Sequence, residues 1–199
     1  MGSATNSRLR KEIAYEAAKL VAVDGLQDYL QAKKKAASKL GINDNRILPS
    51  NSEIEMALIE YQSLFQKQQQ SDDLKKLRTI ALKVMQLLEQ YNACLVGPVL
   101  TGTANQYTEI SLHLFCDTPE LIGLFLENEG IPVTLCERRI QLSKNNPDYF
   151  PAFKFLAGDI NIVAIVLPLL SRKTSPFDPV SGKPMKRGSI KDVANLINQ

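Results

Sequence analysis

Three polar side chains recur at alternate positions in the run Glu109-Ile110-Ser111-Leu112-His113-Leu114-Phe115. As a β-strand, this run turns Glu109, Ser111 and His113 to one face and Ile110, Leu112 and Leu114 to the other. A carboxylate there can hold a hard cation. An imidazole on the same face can assist proton transfer or touch a phosphate; a half-buried structural histidine is the competing reading of His113. Just upstream, in Leu95-Val96-Gly97-Pro98-Val99-Leu100-Thr101-Gly102-Thr103-Ala104, Gly97 and Gly102 have the spacing of a phosphate-binding P-loop. Thr103-Ala104 stand where that loop needs Lys followed by Ser or Thr. Without them the β/γ-phosphates lose their main cation and Mg²⁺ loses a hydroxyl ligand, which argues against a P-loop ATPase or ligase. Gly182-Lys183 has no upstream glycine to complete the motif.

A different phosphate chemistry fits the same residues. The segment resembles the nucleotidyltransferase superfamily, the polymerase-β-like fold. Members carry Gly-Ser at the end of a strand, often continuing into Gly-Thr-Ala, then a polar turn and Ser-Asp-Ile-Asp-Leu on the next strand. Here Gly97-Pro98 occupy the Gly-Ser place, Gly102-Thr103-Ala104 match Gly-Thr-Ala, and Thr108-Glu109 match Ser-Asp. The resemblance makes Glu109 the first metal carboxylate and puts Ser111 where the second belongs. Asp159 or Asn161 is the nearest candidate for a third, on a later strand. The implied chemistry is transfer of a nucleoside monophosphate from an NTP to a hydroxyl acceptor. Mg²⁺ would be held by Glu109 and Asp159, and the phosphates cradled by Gly97, Gly102 and Thr103. Pro98 in place of Ser removes a hydroxyl and an N–H donor, and Ser111 removes an anionic oxygen. The resemblance therefore carries a second reading, a catalytically degenerate fold that binds a nucleotide, an RNA or a protein partner. The whole chain is also similar to a bacterial group usually called predicted nucleotidyltransferases. That similarity rests on Asp28-Tyr29, Lys33-Lys34-Lys35-Ala36-Ala37 and Gly182-Lys183-Pro184-Met185. Some members of the group bear the name of a muramate–alanine ligase, against which the chain length and the missing Gly-Lys-Thr loop argue.

These residues must be positioned by an α+β framework. Residues 1–70 read as a helical N-terminal region and 71–199 as a nucleotidyltransferase-like mixed sheet with flanking helices, a basic loop and a last helix. Ile13, Ala17, Leu20 and Val21 lie at helical spacing until Gly25 breaks the run. Leu26, Tyr29, Leu30, Ala36, Ala37 and Leu40 repeat the pattern up to Gly41. A third helix is expected after a cap at Asn51 or Ser52, with Ile54, Leu58, Tyr61 and Phe65 on its stripe. Gln66 to Gln70 read as a polar exit, and Ser71 as the start of a helix with Leu74, Leu77, Ala81, Val84 and Leu88 on one face. Strands follow at Cys94 to Leu100 and Glu109 to Phe115. Thr118 is expected to cap a helix with Pro119 at its first position. Pro132 to Leu142, Ala152 to Leu156 and Ile160 to Leu167 are further strands, the last two joined as a hairpin by Gly158-Asp159. Ser189 is expected to cap the final helix.

Composition bounds the rest. The 199 residues are 44% hydrophobic and 23% charged, which excludes global disorder and a disulfide-dense miniprotein. A single histidine excludes a multi-histidine metal site within one chain. Cys94, Cys116 and Cys136, flanked by apolar residues and without CxxC spacing, read as buried free thiols of a reducing cytosol, so a cytoplasmic protein is expected. The polar start, Met1 to Ser7, has no apolar core of a secretory signal, and no stretch is long enough to cross a bilayer. Residues 8–46 carry a net +4 and 171–191 a net +5 around an acidic centre. These ends can attract the phosphates of a nucleotide or nucleic acid, through Lys33, Lys34, Lys35 and the basic tail, or can simply solvate helices. Of Glu137-Arg138-Arg139, Arg138 or Arg139 can clamp a triphosphate or form a surface ion pair.

Overall fold

The computed structural model describes residues 2–143 and 147–198; Met1, where the polar start opens, lies outside them. It is an α+β protein that divides into two units. The first comprises Met1–Asp72, Asn105–Tyr107 and Pro179–Ser181; the second holds the remainder.

In the first unit, α1 (Gly2–Asp24), α2 (Tyr29–Lys39) and α3 (Asn51–Phe65) bury a shared core. Ile13, Ala17 and Ala18 of α1 meet Ala32 and Ala36 of α2 and Ile54 and Leu58 of α3. The alanines let the helix backbones approach closely, while burying each Ile or Leu contributes roughly 1.5–3 kcal/mol. Asp28 caps α2 by accepting the Leu30 and Gln31 N–H groups at 2.7 and 3.2 Å. Ser50, rather than Asn51 or Ser52, caps α3, because Glu53 stands three residues on and returns a bond to the Ser50 N–H. Asn51 and Ser52 instead donate to the Pro179 and Val180 carbonyls, at 3.1 and 3.0 Å.

Helix α4 (Lys67–Leu87) begins at Lys67 and not at Ser71, since glutamines are good helix formers and continue the helix through the expected exit. In the second unit the sheet has the order β1 (Cys94–Val96), β2 (Ile110–Phe115), β5 (Ile160–Leu167), β4 (Asp148–Ala157), β3 (Thr134–Ile140). Strands β2 and β5 run parallel and the other pairs antiparallel, with β4 and β5 forming the expected hairpin. Strand β1 stops at Val96, short of Leu100. Gly97 takes φ +73°, which an L side chain resists, and turns the chain into the single helical turn α5 (Pro98–Thr101). Pro119 sits at the N-cap of α6 (Glu120–Asn128), one position earlier than expected, and Thr118 offers its carbonyl rather than its hydroxyl. Ser189 caps α7 (Ile190–Ile197) with a reciprocal bond from Asp192.

The sheet has two apolar faces. Ile110, Leu112, Leu114, Ile162 and Val166 pack with Leu77 and Met85 of α4, Ile122 and Leu126 of α6 and Val193 of α7. On the opposite face Phe115, Ala152, Val163, Ile165 and Leu167 form a smaller core. Strand β5 is buried on both sides, which explains its nearly unbroken apolar run. Among the described residues no helix is long and apolar enough to cross a membrane.

Candidate functional site

The polar residues of β2 share the face of the smaller core, and the fold gives each a different environment. Glu109 immediately precedes β2 and is about one-third exposed; its Oε1 lies 3.5 Å from Arg138 Nη2. Arg138 belongs to β3, three strands away in the sheet order. Arg139, its neighbour, is exposed, and strand alternation turns it to the other face, so Arg138 and not Arg139 stands beside Glu109. Ser111 is partly buried in β2, opposite Val96 on one side and Val163 on the other.

Asp159 does not join them. It occupies the turn before β5, with its side chain 74% exposed, and accepts a bond from Lys76 Nζ of α4 at 3.0 Å. That bond holds its carboxyl below the usual range. Helix α4 covers the sheet face opposite the one that carries Arg138. The parallel register of β2 and β5 pairs Ile110 with Ile162, which puts the neutral Asn161 alongside Glu109. The positions flanking Glu109 thus offer a hydroxyl and an amide, and Glu109 itself already has a guanidinium partner. Mg²⁺ selects several anionic oxygens, so these residues do not fit it. No group of three or more acidic, His or Cys side chains suited to a metal occurs among the described residues.

The glycine-marked turn keeps its shape by internal bonds. The N–H groups of Leu100 and Thr101 donate to the Gly97 carbonyl, and those of Gly102 and Thr103 donate to the Pro98 carbonyl. Thr103 is buried, its hydroxyl 3.5 Å from that of Thr101. Gly102 and Thr103 therefore build the turn rather than offer donors to a ligand. Gly97 faces open space: no atom stands within 4 Å of where a Cβ would be. Arg78 of α4 fastens the turn from behind, donating to the Val99 carbonyl at 3.1 Å, the Leu100 carbonyl at 3.5 Å and the Leu196 carbonyl of α7 at 3.4 Å. Burial lowers its pKa from the ordinary arginine value. This positioning role was hidden in the sequence, where Arg78 is one more polar residue on an amphipathic helix.

His113 is fully buried, not half-buried, and lies away from Glu109 along β2. Its Nδ1 accepts a bond from Arg187 Nε at 3.3 Å, and the same guanidinium lies 4.9 Å over the Phe115 ring. Burial, then the Arg187 charge, push its pKa down to about 3. A histidine so held is neutral and structural. The three cysteines are free and half-buried rather than buried. Lys33, expected in a surface triplet with Lys34 and Lys35, turns away from them in the first unit. It donates to the Pro49 carbonyl and to Asn51 Oδ1, both at 2.8 Å, and desolvation lowers its pKa.

No protein-family model matches the chain, and no curated protein matches it either.

Proposed function

We propose that this chain is a catalytically degenerate nucleotidyltransferase-like fold that binds the phosphates of a nucleotide without Mg²⁺ and transfers nothing. The observation that carries this reading is the Glu109–Arg138 pair. In this reading the guanidinium stands in for the metal that the resemblance implies, beside the one carboxylate that the motif retains. In this reading phosphate oxygens replace Glu109 on Arg138, an exchange of one anion for another that a planar guanidinium accommodates well. The open ground at Gly97 lets the phosphate chain lie close to the backbone. Ser111 and Asn161, both neutral, support the loss of metal chemistry.

Calorimetric titration of ATP into the full chain tests the exchange. Arg138→Ala is expected to weaken binding by about tenfold, the value of one charge-assisted bond. Glu109→Ala is expected to keep or improve affinity, because it frees Arg138. Ser111→Asp is expected to yield no transfer of labelled nucleotide, since Asp159 remains held by Lys76. Loss of binding in Glu109→Ala, or nucleotide transfer by the wild type, would favour the enzymatic reading instead.

A further inference from the structure

The opposite end of β2 carries a second basic feature that the proposed nucleotide site does not use. A cleft of about 410 Å³ opens there, with Cys94 and Phe115 in its wall and three cations, Arg172, Arg187 and Lys191, among its lining residues. Glu89 is the one carboxylate that lines it. None of the three cations has a carboxylate within ion-pairing distance among the described residues. Asp192, in the first turn of α7, is committed to its capping box with Ser189.

The hydrogen-bond inventory points the same way. Arg187 Nη1 donates to the Ser171 carbonyl at 2.9 Å, and Nε donates to His113 Nδ1. Because Nδ1 accepts, the proton of neutral His113 sits on Nε2. His113 Nε2 and Arg187 Nη2 are both buried without a partner among the described residues, and both are donors. His113 lies directly across from Cys94 in the β1–β2 pairing and two residues before Phe115, so the unsatisfied pair adjoins the cleft wall. The N–H groups of Ile190 and Lys191, at the first two positions of α7, also lack intrahelical acceptors, and both residues line the cleft. A half-buried arginine with only neutral partners is costly unless an anion completes it.

We propose that the cleft bounded by Arg172, Arg187 and Lys191 binds a phosphate monoester, whose dianion matches the net charge of its lining and whose oxygens accept from these cations and from the N–H groups of Ile190 and Lys191. The monoester can belong to a small phosphorylated molecule or to the 5′ end of a nucleic acid, and the test separates these sources.

The experiment titrates inorganic phosphate, AMP, and one short oligonucleotide with and without a 5′-phosphate into the full chain at low ionic strength. It is repeated in Arg138→Ala, which removes the cation of the first site. Phosphate and AMP should bind to both proteins, and Arg172→Gln or Lys191→Ala should weaken that binding by about fivefold to tenfold each. Both residues are at the surface, so these variants are expected to fold. The only histidine serves as a reporter: its ring resonances should shift on adding phosphate in the wild type and not when Arg172→Gln and Lys191→Ala are combined. Much tighter binding of the 5′-phosphorylated oligonucleotide than of AMP would assign the monoester to a nucleic-acid end; binding of AMP with neither oligonucleotide bound would assign a small molecule. Measurable and equal binding of both oligonucleotides, unchanged affinity in Arg172→Gln and Lys191→Ala, or loss of all phosphate binding in Arg138→Ala would overturn the proposal. Identical ATP affinity in wild type and Arg138→Ala would instead count against the first site.

Discussion

Stability should fall steadily as pH drops from about 6.5 to 4.5, at roughly 1 kcal/mol per pH unit, and His113 should be the cause. The unfolded chain binds a proton on His113 near its ordinary 6.5, whereas the folded chain refuses it until about 3. Between those values the unfolded state holds more protons, so falling pH favours unfolding. The contribution is complete above the unfolded value and is lost progressively below it. Burial is the larger cause, and the guanidinium of Arg187 adds repulsion. Protonation would also take away the acceptor that Arg187 Nε uses. The groups around it sharpen the case: Arg187 and Arg172 both act on Cys94, the strand partner of His113, with Asp192 the smaller opposing charge, so cations dominate the surroundings. Asp44, Glu53, Asp159 and Asp192, whose pKa values are lowered, withdraw their stabilisation only below the ordinary carboxylate range. The window above about 4.5 therefore belongs to His113. Urea unfolding across this range should show the slope in the wild type and a flat response in His113→Gln, whose amide oxygen can still accept from Arg187. Should that variant not fold, the ring proton of the only histidine can be followed by NMR. A titration midpoint near 6.5 in the native protein would contradict the account.

Gly25→Ala should destabilise the helical unit by roughly 3 kcal/mol. Gly25 ends α1 with φ +69°, a conformation that alanine adopts only under strain. The space is also taken: a Cβ would stand 2.7 Å from the Tyr107 ring. Tyr107 cannot easily withdraw, because its carbonyl accepts from Gln27 Nε2 at 2.5 Å and its N–H donates to Asn105 Oδ1 at 3.0 Å. Asn105 in turn donates to the Val21 carbonyl near the end of α1, at 2.9 Å. Chemical denaturation of Gly25→Ala and of Gly41→Ala makes the comparison. Gly41 has nearly the same φ but nothing within 4 Å, so its variant reports the backbone strain alone. Equal losses in the two variants would show that the Tyr107 clasp contributes nothing.

The framework was legible in the sequence where one local rule governed. Alternation identified β2, Gly158-Asp159 marked the β4–β5 hairpin, and Ser189 announced α7, because turn and cap chemistry is decided within a few residues. The cap of α3 was missed by a position: three adjacent residues can all cap, and only the reciprocal bond from Glu53 selects Ser50. The site was less legible. Glu109 was found by its strand position, but its partner Arg138 stands on a strand three places away in the sheet order, which no local pattern encodes. Asp159 looked like a ligand by its place before β5, and a lysine of α4 draws it away. Arg187 read as part of a solvated basic tail. Its inward turn depends on His113 and Phe115 of β2, more than seventy residues earlier in the chain.

The central claim is that a guanidinium, and no divalent cation, faces the nucleotide's phosphates beside Glu109. Calorimetric titration of ATP in the presence of a chelator and again in Mg²⁺ tests it most directly. The account predicts that Mg²⁺ leaves the affinity unchanged or lowers it, since the metal would neutralise the charge that Arg138 attracts. An affinity raised about tenfold or more by Mg²⁺, and returned to the chelated value in Glu109→Ala, would contradict it.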